Sequence, residues 1–252
     1  MGGAIARGLV AGGVLQPSEV VCCDHNDGKL ARLKEFKEGI TVTRDSREAA
    51  AGADIIVLAV KPWCVESSLA EIRDLVDTAR TDLVSIAAGV TFDMLKGYIN
   101  DPDATLFRVI PNTAIEVGSS MTFVSECNST PERTNRIVKM FDALGRAMLV
   151  PEDKMSAGTA LASCGIAYAM RYIRAAMEGG IELGFKADDA REIVLNTVKG
   201  ATDLLLSSGE HPEDAIDKVT TPGGITIKGL NKMEEEGFTA SVIAGLKASQ
   251  SK

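Results

Sequence analysis

The sequence predicts an α/β domain built on a mostly parallel sheet, followed by an all-helical domain, and three observations carry that reading. Up to about residue 150 short β-rich runs alternate with helical patterns, the arrangement in which crossover helices join parallel strands. Beyond Pro151 the strand-like runs vanish and Ala/Gly-rich helical patterns take over. The 252 residues, 45% of them hydrophobic and 25% charged, suffice for two such domains, expected at 1–150 and 151–252.

The opening MGGAIARGLVAGG reads as a helix. Ile5 and Leu9 stand one turn apart, Ala4 and Gly8 make a small-residue edge, and Gly12-Gly13 supply the stop. Strands are expected at 20–23, 40–42, 55–60, 83–87 and 105–110, with helices at 29–36, 46–51, 64–79 and 92–99 between them. Runs at 121–124 and 147–150 flank a helix at 131–144 and extend the sheet to a sixth or seventh strand. In the second domain 155–183 reads as one long, mostly buried helix, with Met170, Ile173, Met177 and Ile181 at helical spacing. Asp188-Asp189 open the next, which Gly209 ends; shorter helices follow at 212–218, 225–236 and from Thr239. A domain of about a hundred residues with so much apolar helix surface is expected to be covered by a second copy, a monomeric bundle being the alternative.

Charge and composition exclude several functions. With 27 Lys and Arg against 35 Asp and Glu the net charge is −8, which argues against a nucleic-acid partner. The five cysteines include the neighbours Cys22 and Cys23, which point to opposite faces of a strand, and no Cys-x-x-Cys or His-x-x-x-His spacing occurs. Free thiols of a reducing cytoplasm and no metal site are the expectation. His25 and His211, the only histidines, fall on predicted loops far apart in sequence, so a histidine-dependent triad is not expected. Neither a charged-then-apolar leader nor an uncharged apolar stretch of ~20 residues is present, and a cytoplasmic protein is expected.

Several segments carry chemistry. Asp24 closes the first strand about 20 residues after Gly2, the interval between the last glycine of a dinucleotide fingerprint and the carboxylate that binds the ribose hydroxyls, as in a Rossmann-type fold. The earlier glycines and their strand would then lie upstream of Met1; the alternative is an ordinary turn-forming Asp. DIIVLAVKPW and SIAAGV place small residues or proline at the carboxyl edge of the sheet, where a flat ligand meets backbone, or else where helix and strand pack tightly. In DKVTTPGGITIKGL the turn Thr221–Gly224 leads straight into a helix, a ready anion site if not a simple helix start, with Thr220, Thr221 and Thr226 adding hydroxyls. Glu234-Glu235-Glu236 reads as a solvated helix end, and Ser163-Cys164-Gly165 as helix packing rather than a nucleophile.

AVKPW, SIAAGV, RVIPNTA and above all DKVTTPGGITIKGL, with GEHPED before it, resemble the pyrroline-5-carboxylate reductase family over essentially the whole chain. The resemblance implies reduction of the cyclic imine 1-pyrroline-5-carboxylate to L-proline with NADPH or NADH. The family opens with a strand and a Gly-x-Gly-Asn-Met loop, so Met1 matches that methionine and the first strand and first two glycines do not appear. Carried over, the resemblance implies cofactor contacts at Met1, Gly2, Asp24, His25, Ser46, Ala59, Val60, Lys61, Pro62, Ala87, Ala88, Gly89 and Asn112. Substrate contacts would be Glu152, Thr221, Gly224, Ile225 and Thr226, with the Thr226 hydroxyl on the ring nitrogen as the catalytic contact. It further implies a homodimer through interleaved C-terminal helices, assembled in some members into a decamer. ALASCGIAY stands where the family reads ALSGSGPAY, Ala114 replaces a proline after PNT, and Asp24 favours NADH because a carboxylate repels a 2′-phosphate. Another NAD(P)-dependent imine or β-hydroxy-acid reductase, or a non-catalytic dimeric binding protein lacking a complete nucleotide loop, are the alternative readings.

Overall fold

The computed structural model describes residues 1–250, which pack as two compact units divided at Ser163 and Cys164. The first unit opens with helix α1 (Gly2–Ala11), followed by strand β1 (Val21–Cys23), α2 (Asp27–Phe36), β2 (Thr41–Thr43), α3 (Ser46–Ala50) and β3 (Ile55–Leu58). It continues with α4 (Val65–Ile72), β4 (Asp82–Ser85), α5 (Phe92–Ile99), β5 (Leu106–Ile110), β6 (Ser120–Cys127), α6 (Pro131–Asp142), β7 (Gly145–Leu149) and the short α7 (Met155–Gly158). Side-chain caps account for many helix starts. Asn26, Asp45, Thr91 and Thr130 each accept an amide hydrogen bond from the first turn of the helix they precede.

The strands form two sheets, not the single one expected. β1 and β2 pair in parallel by themselves, and a five-stranded sheet runs in the order β3-β4-β5-β6-β7. Its pairs are parallel except β5 with β6, which is antiparallel because only a short 3-10 turn, Thr113–Val117, separates them and leaves no room for a crossover. Alternate residues of β4 and β5 feed cores on the two faces: Val84, Phe107 and Val109 with Ile137 and Phe141 of α6, and Leu83 and Leu106 with Leu69 of α4 and Leu95 of α5. α1 joins the two sheets. Its Ala4, Ile5 and Leu9 enter the first of these cores while Ala6 and Val10 pack with Val20, Leu33 and Ile40. A side chain at Gly8 would meet Leu144 at 2.5 Å, so glycine is what allows that approach.

The first unit extends past the boundary expected at 150, because Met155 is buried with Ile110 and Phe123 and Gly158 lies against the Phe123 ring. The long helix expected at 155–183 is interrupted by a π turn, Thr159–Cys164. One end is held on the first unit at Gly158, and the Ser163 hydroxyl donates to the Pro111 carbonyl at 3.1 Å; a π turn is how a helix absorbs such an extra residue.

The second unit comprises α8 (Gly165–Glu182), α9 (Ala187–Ser208), α10 (Pro212–Lys218), α11 (Ile225–Glu235) and α12 (Phe238–Ala248). Gly180 of α8 lets Ala190 of α9 close in, and Tyr168 donates to the Gly245 carbonyl of α12 at 3.2 Å. The α8 segment is not buried as expected: Met170 and Ile181 are exposed, and among the described residues of this unit Ala190 alone counts as buried. No helix among the described residues is long and apolar enough to cross a membrane, and all five cysteines are free.

Candidate active site

Parallel strands deliver their carboxyl ends to one edge, and in the five-stranded sheet β3, β4 and β5 end at Ala59–Pro62, Ala87–Gly89 and Asn112. Ala59 and Val60 are exposed after β3, and Lys61 then precedes a 3-10 turn set by Pro62. Gly2 meets this segment directly: a Cβ on it would stand 2.8 Å from the Ala59 Cβ. The N-terminus of α1 therefore reaches the end of β3 only as glycine, with no side-chain cap from Met1, so its positive end and first amides face the same edge. After β4, Ala87 is buried while Ala88 and Gly89 are exposed, and Gly89 has φ +80° with open space where a side chain would point. Asn112 is buried; its side-chain oxygen accepts from the Ala114 amide at 3.0 Å.

At the far end of the edge the Cys23–Thr43 pairing of β1 with β2 brings Asp24 and Ser46 to neighbouring strand ends. Asp24 accepts from the Asn26 amide at 2.9 Å and from the Lys29 ammonium at 3.0 Å. Partial burial raises its pKa, but those two hydrogen bonds outweigh burial and hold the carboxyl below its usual range, so it is ionised at neutral pH. Ser46 starts α3 and donates to Glu71 at 2.7 Å, in a shallow depression also lined by Arg44, Arg47 and Ala70. His25 is exposed.

In the second unit Thr221–Gly224 forms a tight turn closed by the Gly224 amide on the Thr221 carbonyl at 2.9 Å. Pro222 and the left-handed Gly223 (φ +72°) occupy its central positions, the requirement of a type II turn. α11 begins directly behind Gly224 with no side-chain cap; Ile225 is 86% exposed and Thr226 is exposed beside it. Thr220 drops out of the expected hydroxyl group, since its Oγ1 donates to the Ile216 and Asp217 carbonyls at the end of α10. Among the described residues no cluster of His, Cys, Asp and Glu could hold a metal.

Glu152 belongs to the first unit. Its Oε1 accepts from Arg108 Nη1 at 2.7 Å and from the Phe92 amide at 2.8 Å. Neither Arg108, the first residue of RVIPNTA, nor Lys29 was expected at the site from the sequence. Arg108 had a signal: an arginine inside LFRVI, a strand buried along its whole length, must be paired.

A nucleotide-binding edge on an α/β unit, joined to a helical unit whose apolar surface a single copy leaves open, defines the class of the protein as an NAD(P)-dependent oxidoreductase with a helical dimerisation domain. Residues 152–252 match the family of pyrroline-5-carboxylate reductase dimerisation domains, and residues 1–89 match the family described as NADP oxidoreductase, coenzyme F420-dependent. Pyrroline-5-carboxylate reductase 2 of Dictyostelium discoideum is 35% identical over 266 residues, which cover 100% of this chain and 88% of that protein. The Escherichia coli K12 enzyme is 33% identical over 247 residues, 98% of this chain and 91% of the relative. Reductase 1 of Dictyostelium discoideum is longer: at 36% identity this chain spans 47% of it. Among solved structures, the reductase of Coxiella burnetii superposes with a TM-score of 0.90 at 26% identity, covering 98% of this chain and 91% of that one. The Plasmodium falciparum enzyme with NADP bound gives 0.87 at 25% identity, covering 99% and 91%. The chain belongs to the pyrroline-5-carboxylate reductase family, NAD(P)-dependent oxidoreductases of proline biosynthesis.

Proposed function

We propose that the chain reduces 1-pyrroline-5-carboxylate to L-proline at the exposed start of α11, with the first unit serving the cofactor and the helical second unit the substrate and dimerisation. The nicotinamide, when bound, supplies a hydride to the imine carbon. The protein's part is placement, since a protonated imine is already electrophilic; aligning two reactants is worth roughly 7 kcal/mol or more. The carrying observation is the turn Thr221–Gly224, which leaves the first amides of an 11-residue helix free of any side-chain cap. Those amides, from Ile225 onward, suit the substrate carboxylate, and Gly224 and the Thr221 hydroxyl stand beside them. Thr226, next along the helix, then presents its hydroxyl to the ring nitrogen. On the first unit Met1, Gly2, Ala59, Val60, Lys61, Pro62, Ala87, Ala88, Gly89 and Asn112 form the cofactor edge, and Asp24, His25 and Ser46 its adenosine end. The residues fit the group: a glycine start of α1 approaches the β3 end closely, and the Ala88-Gly89 surface is open.

Replacing Thr226 by Ala removes one hydrogen bond to a charged nitrogen, about 1.5–3 kcal/mol, so turnover should fall roughly tenfold to a hundredfold while the Kd for NADH stays put. Following loss of reduced nicotinamide with 1-pyrroline-5-carboxylate, and with hydroxy- and keto-acid controls, tests this; full activity in the variant would remove Thr226 from the site. Asp24 makes NADH the preferred cofactor. Asp24→Ser removes the repelling carboxylate and frees Lys29 for a 2′-phosphate, and the kcat/KM ratio should move toward NADPH by about tenfold, or ~1.4 kcal/mol. An unchanged ratio would assign the preference elsewhere. The free thiols fit a cytoplasmic enzyme, and a decamer, five dimers together, is the assembly we expect by sedimentation.

A further inference from the structure

We propose that Glu152 is a positioning residue for the cofactor loop, acting with Arg108, rather than a group that touches substrate. The inference rests on the reading that Ala87–Gly89 holds the cofactor. Arg108 sits in the middle of β5 with its side chain 9% exposed. A guanidinium in that place is tolerated only if paired, and Glu152 is its carboxylate partner. The same oxygen, Oε1, takes the amide of Phe92, the first residue of α5, and the Arg108 guanidinium carbon lies 6.0 Å from the Phe92 ring centre. A carboxylate at a helix start complements its positive end, yet this one arrives from sixty positions along the chain, where a local cap already exists in Thr91. Local capping therefore does not explain it.

Position does. The segment Ala87–Thr91 carries the exposed Ala88 and the left-handed Gly89. Its near end is tied to the sheet, where the Ile86 amide donates to the Leu58 carbonyl at 3.2 Å. Inside the segment the Val90 amide reaches the Ala87 carbonyl only at 3.5 Å. Its far end is held by Glu152, itself fixed between buried Arg108 and the start of the turn that leads to buried Met155. One carboxylate oxygen thus sets where the loop stands on the strand edge, and loops that bind must be held to within a fraction of an ångström.

The test is a coupled set of variants: Glu152→Ala, Glu152→Gln, Arg108→Met and the Glu152→Ala/Arg108→Met pair. The readouts are the Kd for NADH by fluorescence titration, the KM for 1-pyrroline-5-carboxylate at saturating NADH, and Tm. Glu152→Ala should raise the Kd for NADH about tenfold, the worth of one charge-assisted hydrogen bond, with substrate KM within about twofold. Arg108→Met should shift the same constant in the same direction, and the pair should be no worse than Glu152→Ala alone, because removing both partners leaves no unpaired buried charge. Glu152→Gln keeps an acceptor for the Phe92 amide and should fall between; it stays informative if the alanine variant does not fold. A tenfold rise in substrate KM with an unchanged Kd for NADH overturns the proposal in favour of a substrate contact. Unchanged values for both overturn it outright, the cofactor reading then standing alone. A parent chain that binds no NADH overturns both.

Discussion

Gly224→Ala should lower kcat/KM for 1-pyrroline-5-carboxylate about a hundredfold or more while leaving the Kd for NADH unchanged, the scale of loss that a misplacement of roughly 1 Å produces. The reason is steric. Gly224 has φ −67° and ψ 170°, a conformation open to any residue, but a Cβ there would lie 2.6 Å from the Thr221 hydroxyl oxygen and 2.9 Å from the Thr221 carbonyl oxygen. The hydroxyl can rotate away. The carbonyl cannot, because it accepts the Gly224 amide that closes the turn. Opening the turn moves the first amides of α11 and the Thr226 hydroxyl together. The neighbouring Gly223 makes the comparison: its φ is +72° and nothing lies within 4 Å of a Cβ, so Gly223→Ala meets only the left-handed penalty of about 1 kcal/mol, roughly fivefold. Steady-state kinetics on both variants separates the two origins. Equal losses would mean that strain, and not the crowded carbonyl, governs the site.

Local signals in the sequence translated well into elements. Thr91 before Phe92, Pro212 after His211 and Gly209 beyond the leucine cluster mark helix ends that the structure places at those residues. What the sequence hid is what depends on direction or on distance. An apolar run such as MTFV is equally a parallel or an antiparallel strand, and the short Thr113–Val117 turn decides it. Helical periodicity runs straight through TALASC, so the π turn that the anchors at Gly158 and Ser163 impose leaves no trace in spacing. The site divides the same way. Glycines and prolines at strand and helix ends were legible because backbone geometry demands them, as with Gly2 against Ala59 and Gly224 against Thr221. Partners at long range were not. Lys29 on Asp24 is hidden by its ordinary helical context, and Glu152 on Arg108 joins residues whose neighbourhood only the folded sheet creates.

Placing aspartates at Leu204 and Leu206 of α9 should turn the dimer into monomer and lower Tm steeply. These leucines are 71% and 79% exposed in a single copy, and Leu183 is 83% exposed. Positions two apart point to different sides of a helix, so a partner that wraps α9 covers at least one of them. Burying a leucine contributes about 1.5–3 kcal/mol, and a two-fold interface counts each substitution twice, so even one covered position costs roughly 3 kcal/mol before the penalty of burying the new charge. That raises the dimer Kd more than about a hundredfold. The fold of the second unit is linked to the same equilibrium, because among its described residues Ala190 alone is buried within one copy; dissociation removes the apolar cover its helices depend on. Sedimentation equilibrium with far-ultraviolet circular dichroism should therefore show loss of mass and of helix together, and Lys34→Asp on exposed α2 should show neither. NADH binding, assigned to the first unit, should survive while turnover is lost, since Thr221, Gly224 and Thr226 ride on the unit that melts. An unchanged mass for the double variant would mean that α9 meets solvent along this stretch and that another surface makes the dimer.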